Sequence, residues 1–268
     1  MGVGLSILLA GWGQIAACGR RLEEQSFVFL TLHKAGSTFA TEIVRDLFVA
    51  NGWVSRDFAT QAFDAGLNGY EFLKQKAAAF HEKKTFFGPL RDEPVSLVPN
   101  LPSLTPIIHI RDPRDALVSY YYSICYSHVL PGPGPEREWF EKQREFYRQR
   151  SVDDFCLQIL TNGNRSFKLL RSAAEAGPKT VISRYEVMVT DFSGWLRGLV
   201  QQLPIQVDDG KIESLDAQNQ APVSEDVYSH KRQVTPGDFR RKLRPASQTK
   251  LTEFFRDDLV YFGYSTEV

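Results

Sequence analysis

The sequence predicts an α/β fold: a single domain with a central parallel sheet flanked by helices and a P-loop-like turn. Two stretches carry that expectation. The apolar run FVFLTL at 27–32 enters the short loop HKAGST, and Phe39, Ile43, Leu47 and Phe48 then recur at helical spacing. The run PIIHI at 106–110 leads in the same way into RDPRDALVSYYYS. Strands alternating with helices imply parallel pairing with both faces of the sheet covered.

In chain order, residues 1–26 form an apolar N-terminal segment, expected to pack on a domain spanning 27–268. As a signal peptide or membrane anchor it is poorly built. No positive charge precedes it, Gly2, Gly4, Gly11 and Gly13 weaken a helix, Gln14 interrupts it, and a span needs roughly 20 apolar residues. Gly2 and Ser6 fit a short myristoylation pattern. The first helix is expected at 38–50, and further strands at 85–88, 106–111 and 179–184. Residues 129–138 (VLPGPGPERE) read as a loop, because three prolines and two glycines cannot continue a helix. Helices are expected at 140–150, 152–160, 166–176 and 194–203. The polar stretch 217–236 reads as a mobile loop, and a last helix at 247–262 closes the core.

Composition bounds the function. At 268 residues with 43% hydrophobic and 24% charged content, the chain can bury one sizeable core, and no Pro/Gly/Ser-rich linker divides it. Lys+Arg and Asp+Glu both number 32, so no global field draws the protein to nucleic acid or acidic lipid. Cys18, Cys125 and Cys156 lack any metal-ligand spacing and read as small buried hydrophobes in a reducing compartment, neither a disulfide framework nor a zinc site.

The loop after the first strand carries the chemistry. Backbone N–H groups at a helix N-terminus, with the Lys34 charge and the hydroxyls of Ser37 and Thr38, make a site for a phosphate or sulfate group. It is not the nucleotide triphosphatase pattern, in which lysine follows the glycines, since Lys34 precedes Gly36. Arg111 stands at the carboxyl end of the second strand, where ligands of open α/β sheets bind, and Ser119 follows eight residues later. Asp112 and Pro113 suit the cap and first turn of a helix. The plainer alternatives are a capped turn at HKAGST and an Arg111–Asp115 pair with Ser119 as filler.

With both motifs in hand, the chain resembles the sulfotransferases that use 3′-phosphoadenosine 5′-phosphosulfate (PAPS). HKAGSTF is similar to their PKSGTT-like loop with His33 in place of proline, and RDPRDALVSYY to their RNPKDxxxSxY signature. RQVTPGDF, from Arg232 to Phe239, is a degraded form of their RKGxxGDW, with Gln233 and Val234 replacing the usual lysine and first glycine. Tyr185 matches the tyrosine of their YEDL element.

The resemblance implies a sulfotransferase fold and transfer of the sulfuryl group from PAPS to a hydroxyl or amine, releasing 3′-phosphoadenosine 5′-phosphate (PAP), without a metal. It implies that Lys34 and the backbone of Ala35, Gly36, Ser37 and Thr38 hold the 5′-phosphosulfate, and that Arg111, Ser119, Arg232 and Lys231 grip the 3′-phosphate. Phe39 takes the place of the adenine-stacking tryptophan, with Tyr185 on the other side of the base. The stretch KKTFFGPLRDEP lacks the histidine base of many cytosolic members. Carbohydrate-type members use a carboxylate after the first helix, which points to Asp57 or Asp64, with His81 a further candidate base. The expected acceptor is a small molecule, the expected location cytoplasmic, and neither nucleic acid nor membrane is expected as a partner. No dimerisation motif of the family is evident in RKLRPASQTKLTEFF, so oligomeric state stays open. A noncatalytic PAP-binding protein and a nucleotide kinase are the rival readings.

Overall fold

Phe27–Thr31 forms β1, a strand buried along its whole length, as a central parallel strand covered on both faces must be. The computed structural model describes residues 25–91, 97–161, 166–176, 179–219 and 234–268. The N-terminal segment as far as residue 24, including Cys18, therefore lies outside the described residues, as do Lys231, Arg232 and Gln233.

After β1 come α1 (Ser37–Ala50), β2 (Val54–Arg56), α2 (Phe58–Asp64), α3 (Gly69–Gln75), β3 (Thr85–Arg91) and β4 (Thr105–Ile110). The chain continues through α4 (Pro113–Tyr122), a π-turn at Ser123–Ser127, α5 (Pro135–Arg148), α6 (Val152–Thr161), α7 (Ser166–Ala176) and β5 (Val181–Arg184). It closes with α8 (Tyr185–Thr190), α9 (Phe192–Val200), α10 (Asp209–Gln218), α11 (Phe239–Lys242), α12 (Pro245–Phe254) and α13 (Arg256–Tyr261). The five described strands pair in the order β2-β3-β1-β4-β5, every pair parallel.

The period-2 alternation of side chains splits the core in two. Val28 and Leu30 of β1, with Ile108 and Ile110 of β4, face one layer together with Leu117, Val118 and Tyr121 of α4. Phe27, Phe29 and Ile107 face the other, against Ala40, Ile43, Val44, Leu47 and Phe48 of α1. The helices that follow β1 and β4 thus lie on opposite faces of adjacent strands. That arrangement makes the carboxyl ends of β1 and β4 a topological switch point, the place where open α/β sheets bind ligands.

Several boundaries differ from the sequence expectation. β2 was not anticipated: it is a three-residue edge strand whose side chains are exposed or half-buried, and it has no apolar signature. The proline-rich loop ends at Gly134, and Pro135 sits in the first turn of α5, where its missing N–H costs nothing. The expected last helix is two helices meeting at Phe255; of the polar stretch 217–236, residues 217 and 218 end the helix α10 and residues 220–233 lie outside the described residues. Cys125 and Cys156 are buried free thiols. No helix among the described residues is long and apolar enough to cross a membrane.

Candidate functional site

The turn between β1 and α1 is shaped by two left-handed residues, Lys34 at φ 67° and Gly36 at φ 69°. At Gly36 glycine is required twice over: the φ disfavours other residues, and a Cβ would sit 3.0 Å from Met188 Cε and 3.1 Å from the Tyr185 ring. Gly36 caps α1 without a side-chain hydrogen bond, so the helix start presents backbone N–H groups and its positive dipole end.

Around this turn the structure gathers cations and hydroxyls. Lys34 Nζ donates to Ser123 Oγ at 3.2 Å, and Ser123 Oγ lies 3.2 Å from Nδ1 of His128. The His128 ring stacks on Phe140 with centroids 4.5 Å apart. Arg91, the last residue of β3, donates from Nε to Ser37 Oγ at 2.9 Å and from Nη2 to Thr38 Oγ1 at 3.4 Å. His33 stacks on Tyr120, and its pKa is lowered to about 3, first by burial and then by the charges of Arg91 and Lys34. The turn is therefore positively charged without help from its histidine.

Arg111 joins the two motifs. Its guanidinium is buried and donates from Nη1 to the Lys34 carbonyl at 2.9 Å, while its carbon centre lies 4.2 Å from the Tyr185 ring centroid. Nη2 is 3.8 Å from Asp115, and Nε is buried with no hydrogen-bond acceptor among the described residues. Asp115 does more than pair with Arg111. It accepts from the Gly237 N–H at 2.6 Å and the Phe239 N–H at 2.8 Å, which brings the degraded third motif beside the second. Burial pushes the Asp115 carboxyl up, against the lowering influence of Arg111 and those two N–H groups.

The other charged residues of RDPRD hold the frame. Arg114 is fully buried, forks onto Asp112, donates to Thr252 Oγ1 and the Ser265 carbonyl, and lies over Phe239. Asp112 also caps α4 by accepting from the Arg114 N–H, and its own N–H donates to Glu186. Tyr264 donates to the second oxygen of Glu186, whose carboxyl burial pushes up.

Of the residues singled out from sequence, Lys34, Ala35, Gly36, Ser37, Thr38, Arg111 and Tyr185 come together here. Tyr185 lies beneath Gly36 and Arg111, buried at the start of α8. Phe39, in the first turn of α1, meets Phe192 with centroids 5.9 Å apart, and Ser119 lies half-buried on α4. Lys231 and Arg232 fall outside the described residues. Asp57 caps α2 by accepting from the Thr60 N–H, Asp64 is exposed at the other end of that helix, and His81 is exposed at the end of a 3-10 turn. Sequence reasoning missed Arg91, Ser123 and His128. Arg91 had a usable signal, since it ends a buried strand at the sheet edge that binds ligands; the other two reach Lys34 only through the π-turn.

Fold and site together define an α/β protein with an anion-binding turn facing an arginine at a switch point. Residues 24–262 match the sulfotransferase domain family, and the chain belongs to it. Sulfuryl transfer is the chemistry of that family. No curated protein matches the sequence. Among solved structures, the chain is similar to mouse sulfotransferase SULT7A1 complexed with PAP, at 16% identity and TM-score 0.56, covering 88% of this chain and 84% of that one. It is also similar to retinol dehydratase in complex with retinol and PAP, at 15% identity and TM-score 0.55, covering 89% and 82%. A retinol dehydratase complex with androsterone and PAP aligns at 14% identity and TM-score 0.57, covering 87% and 80%. These likenesses establish the shared fold.

Proposed function

We propose that the chain transfers a sulfuryl group from PAPS to a hydroxyl or amine of a small-molecule acceptor and releases PAP. The observation that carries this reading is the Arg111–Lys34 contact, which joins the two motifs into one cationic cradle at the switch point. The residues fit an anionic nucleotide. Arg111 keeps a buried Nε–H with no described acceptor, and the start of α1 has no side-chain cap to compete for its N–H groups.

In this reading Lys34, Ser37, Thr38 and the backbone between them hold the 5′-phosphosulfate, with Arg91 as a second cation behind the hydroxyls. Arg111, Ser119, Arg232 and Lys231 take the 3′-phosphate, and Phe39 and Tyr185 border the base. When bound, PAPS supplies an activated sulfuryl group whose bridging oxygen leaves with the nucleotide. Lys34 neutralises the charge that grows on that oxygen; fixed positive groups in a site of low dielectric stabilise such charge strongly. Positioning and charge placement carry most of the catalysis, as in phosphoryl transfer. The proton of the acceptor falls to Asp57 or Asp64; His81 precedes the amino end of β3, where Ser26 Oγ donates to the neighbouring Glu82 carbonyl, at the sheet edge opposite Lys34. The free, buried thiols of Cys125 and Cys156 fit a reducing compartment such as the cytoplasm.

Incubation with sulfur-labelled PAPS and fractionated metabolite extracts tests the reading, with labelled ATP in parallel. Label moving from PAPS into an extract component, with ATP untouched, supports it. Consumption of ATP alone would replace it with a kinase, and tight PAP binding without any transfer would leave a noncatalytic binder.

A further inference from the structure

His109 of β4 is fully buried and takes no part in the reading above. Its neighbours determine where its hydrogen sits. Nε2 lies 2.8 Å from the carbonyl oxygen of Ala35, which can only accept, so Nε2 carries the hydrogen and donates. Nδ1 is then the acceptor, and it takes the Ser183 hydroxyl hydrogen across 2.7 Å. Ser183 Oγ in turn accepts from Trp195 Nε1 at 2.8 Å. A chain of three hydrogen bonds thus runs from α9 through β5 and β4 into the turn between β1 and α1. The ring has little room to turn, with Phe29 stacked on it at 5.9 Å and Trp195 edge-on at 6.3 Å.

We propose that His109 is a positioning residue for that turn: by holding the Ala35 carbonyl it sets the peptide plane that aims the Gly36 N–H at the bound anion. The inference rests on reading the turn as the donor's anion site. In a trans peptide the C=O and the following N–H point in opposite directions. Drawing the Ala35 carbonyl into the sheet therefore turns the Gly36 N–H outward. The plane lies between two left-handed residues, Lys34 and Gly36, and such a conformation persists only when its surroundings over-determine it. Two donors from neighbouring positions of one segment supply that constraint. Arg111 holds the Lys34 carbonyl and His109 holds the next one. An aliphatic residue, which the rest of PIIHI would lead one to expect, could fill the space but could not donate.

The test compares the wild-type chain with His109→Met, which keeps the volume without the donor, and His109→Gln, whose side-chain amide can still donate to Ala35. Ser183→Ala, which removes the bond that holds the tautomer, is a milder perturbation should His109→Met fail to fold. Amide hydrogen exchange across residues 34–38 is measured without ligand, and PAP affinity and acceptor KM with it. In His109→Met the turn amides should exchange about 10- to 100-fold faster and PAP should bind weaker by a similar factor, the cost of an unpaired buried carbonyl. Acceptor KM should not move, His109→Gln should stay within about threefold of wild type, and Ser183→Ala should fall between the two variants. The proposal is overturned if a folded His109→Met or Ser183→Ala protein keeps wild-type exchange in the turn, or if His109→Gln is no better than His109→Met. Should the wild-type chain fail to bind PAP, the functional reading fails, while the exchange comparison still decides the role of His109.

Discussion

Arg111 donates from Nη1 to the main-chain carbonyl of Lys34 across 2.9 Å, so the side chain that opens the second motif holds the backbone of the first. Removing it should damage both motifs. Arg111→Ala is expected to weaken PAP binding by about 2–5 kcal/mol, the range for a buried hydrogen-bonded charge that loses its partner. Arg111→Lys should recover little of this, because a lysine cannot reproduce the planar fork or its stacking on Tyr185. Calorimetric titration with PAP measures both; equal affinity in all three proteins would remove Arg111 from the site.

Asp115 ties the stretch containing Gly237 and Phe239 to α4 through two N–H bonds. Asp115→Ala leaves those N–H groups and Arg111 without their carboxylate. Stability should drop by about 3 kcal/mol, within the range for breaking a buried ionic contact. Urea unfolding reads this directly, and a loss below about 1 kcal/mol, the size of an exposed pair, would show that the carboxylate is not the anchor described.

Ser123 holds the Lys34 ammonium and lies within reach of His128. A lysine side chain carries roughly 2 kcal/mol of rotamer entropy, so losing this partner should cost orientation more than binding. Ser123→Ala is predicted to lower kcat about 10-fold, within that 2 kcal/mol, while PAP affinity changes by less than about threefold. Unchanged kcat, or a loss confined to PAP affinity, would contradict the assignment.

Acid should destabilise the protein through His109, whose pKa burial lowers from 6.5 to about 4. Between those values the unfolded chain binds a proton at this position and the folded chain does not, so stability falls as pH drops through the window. The slope approaches ~1.4 kcal/mol per pH unit for one group. Asp115 and Glu186, both pushed up, act in the opposite sense and cancel in a comparison of wild type with His109→Gln. The difference in urea midpoint between the two proteins should narrow or reverse in favour of the variant as pH falls from 6.5 to 4. A difference independent of pH would contradict a neutral His109.

Much of this architecture could be read from the chain because β1 and β4 are buried on both faces and so appear as unbroken apolar runs ending in polar turns. Lys34, Gly36 and Arg111 stand at those ends and were visible for that reason. Val54–Arg56 gave no such signal, since an edge strand with half-exposed side chains has no apolar periodicity. Ser123, His128 and Arg91 are distant in sequence from Lys34, and only the fold brings them to the turn. His109 carried no signal of its own within the strand PIIHI; its role depends on Ser183, paired with it in the neighbouring strand.

The central claim is that Lys34 drives sulfuryl transfer from PAPS, and transfer of labelled sulfate by wild type and Lys34→Ala, assayed side by side on the same extract, tests it most directly. The account predicts labelled product from the wild-type chain and at least about 100-fold less from the variant, the scale for losing one charge-stabilising group, with the melting temperature preserved. Equal label in the two reactions would contradict it.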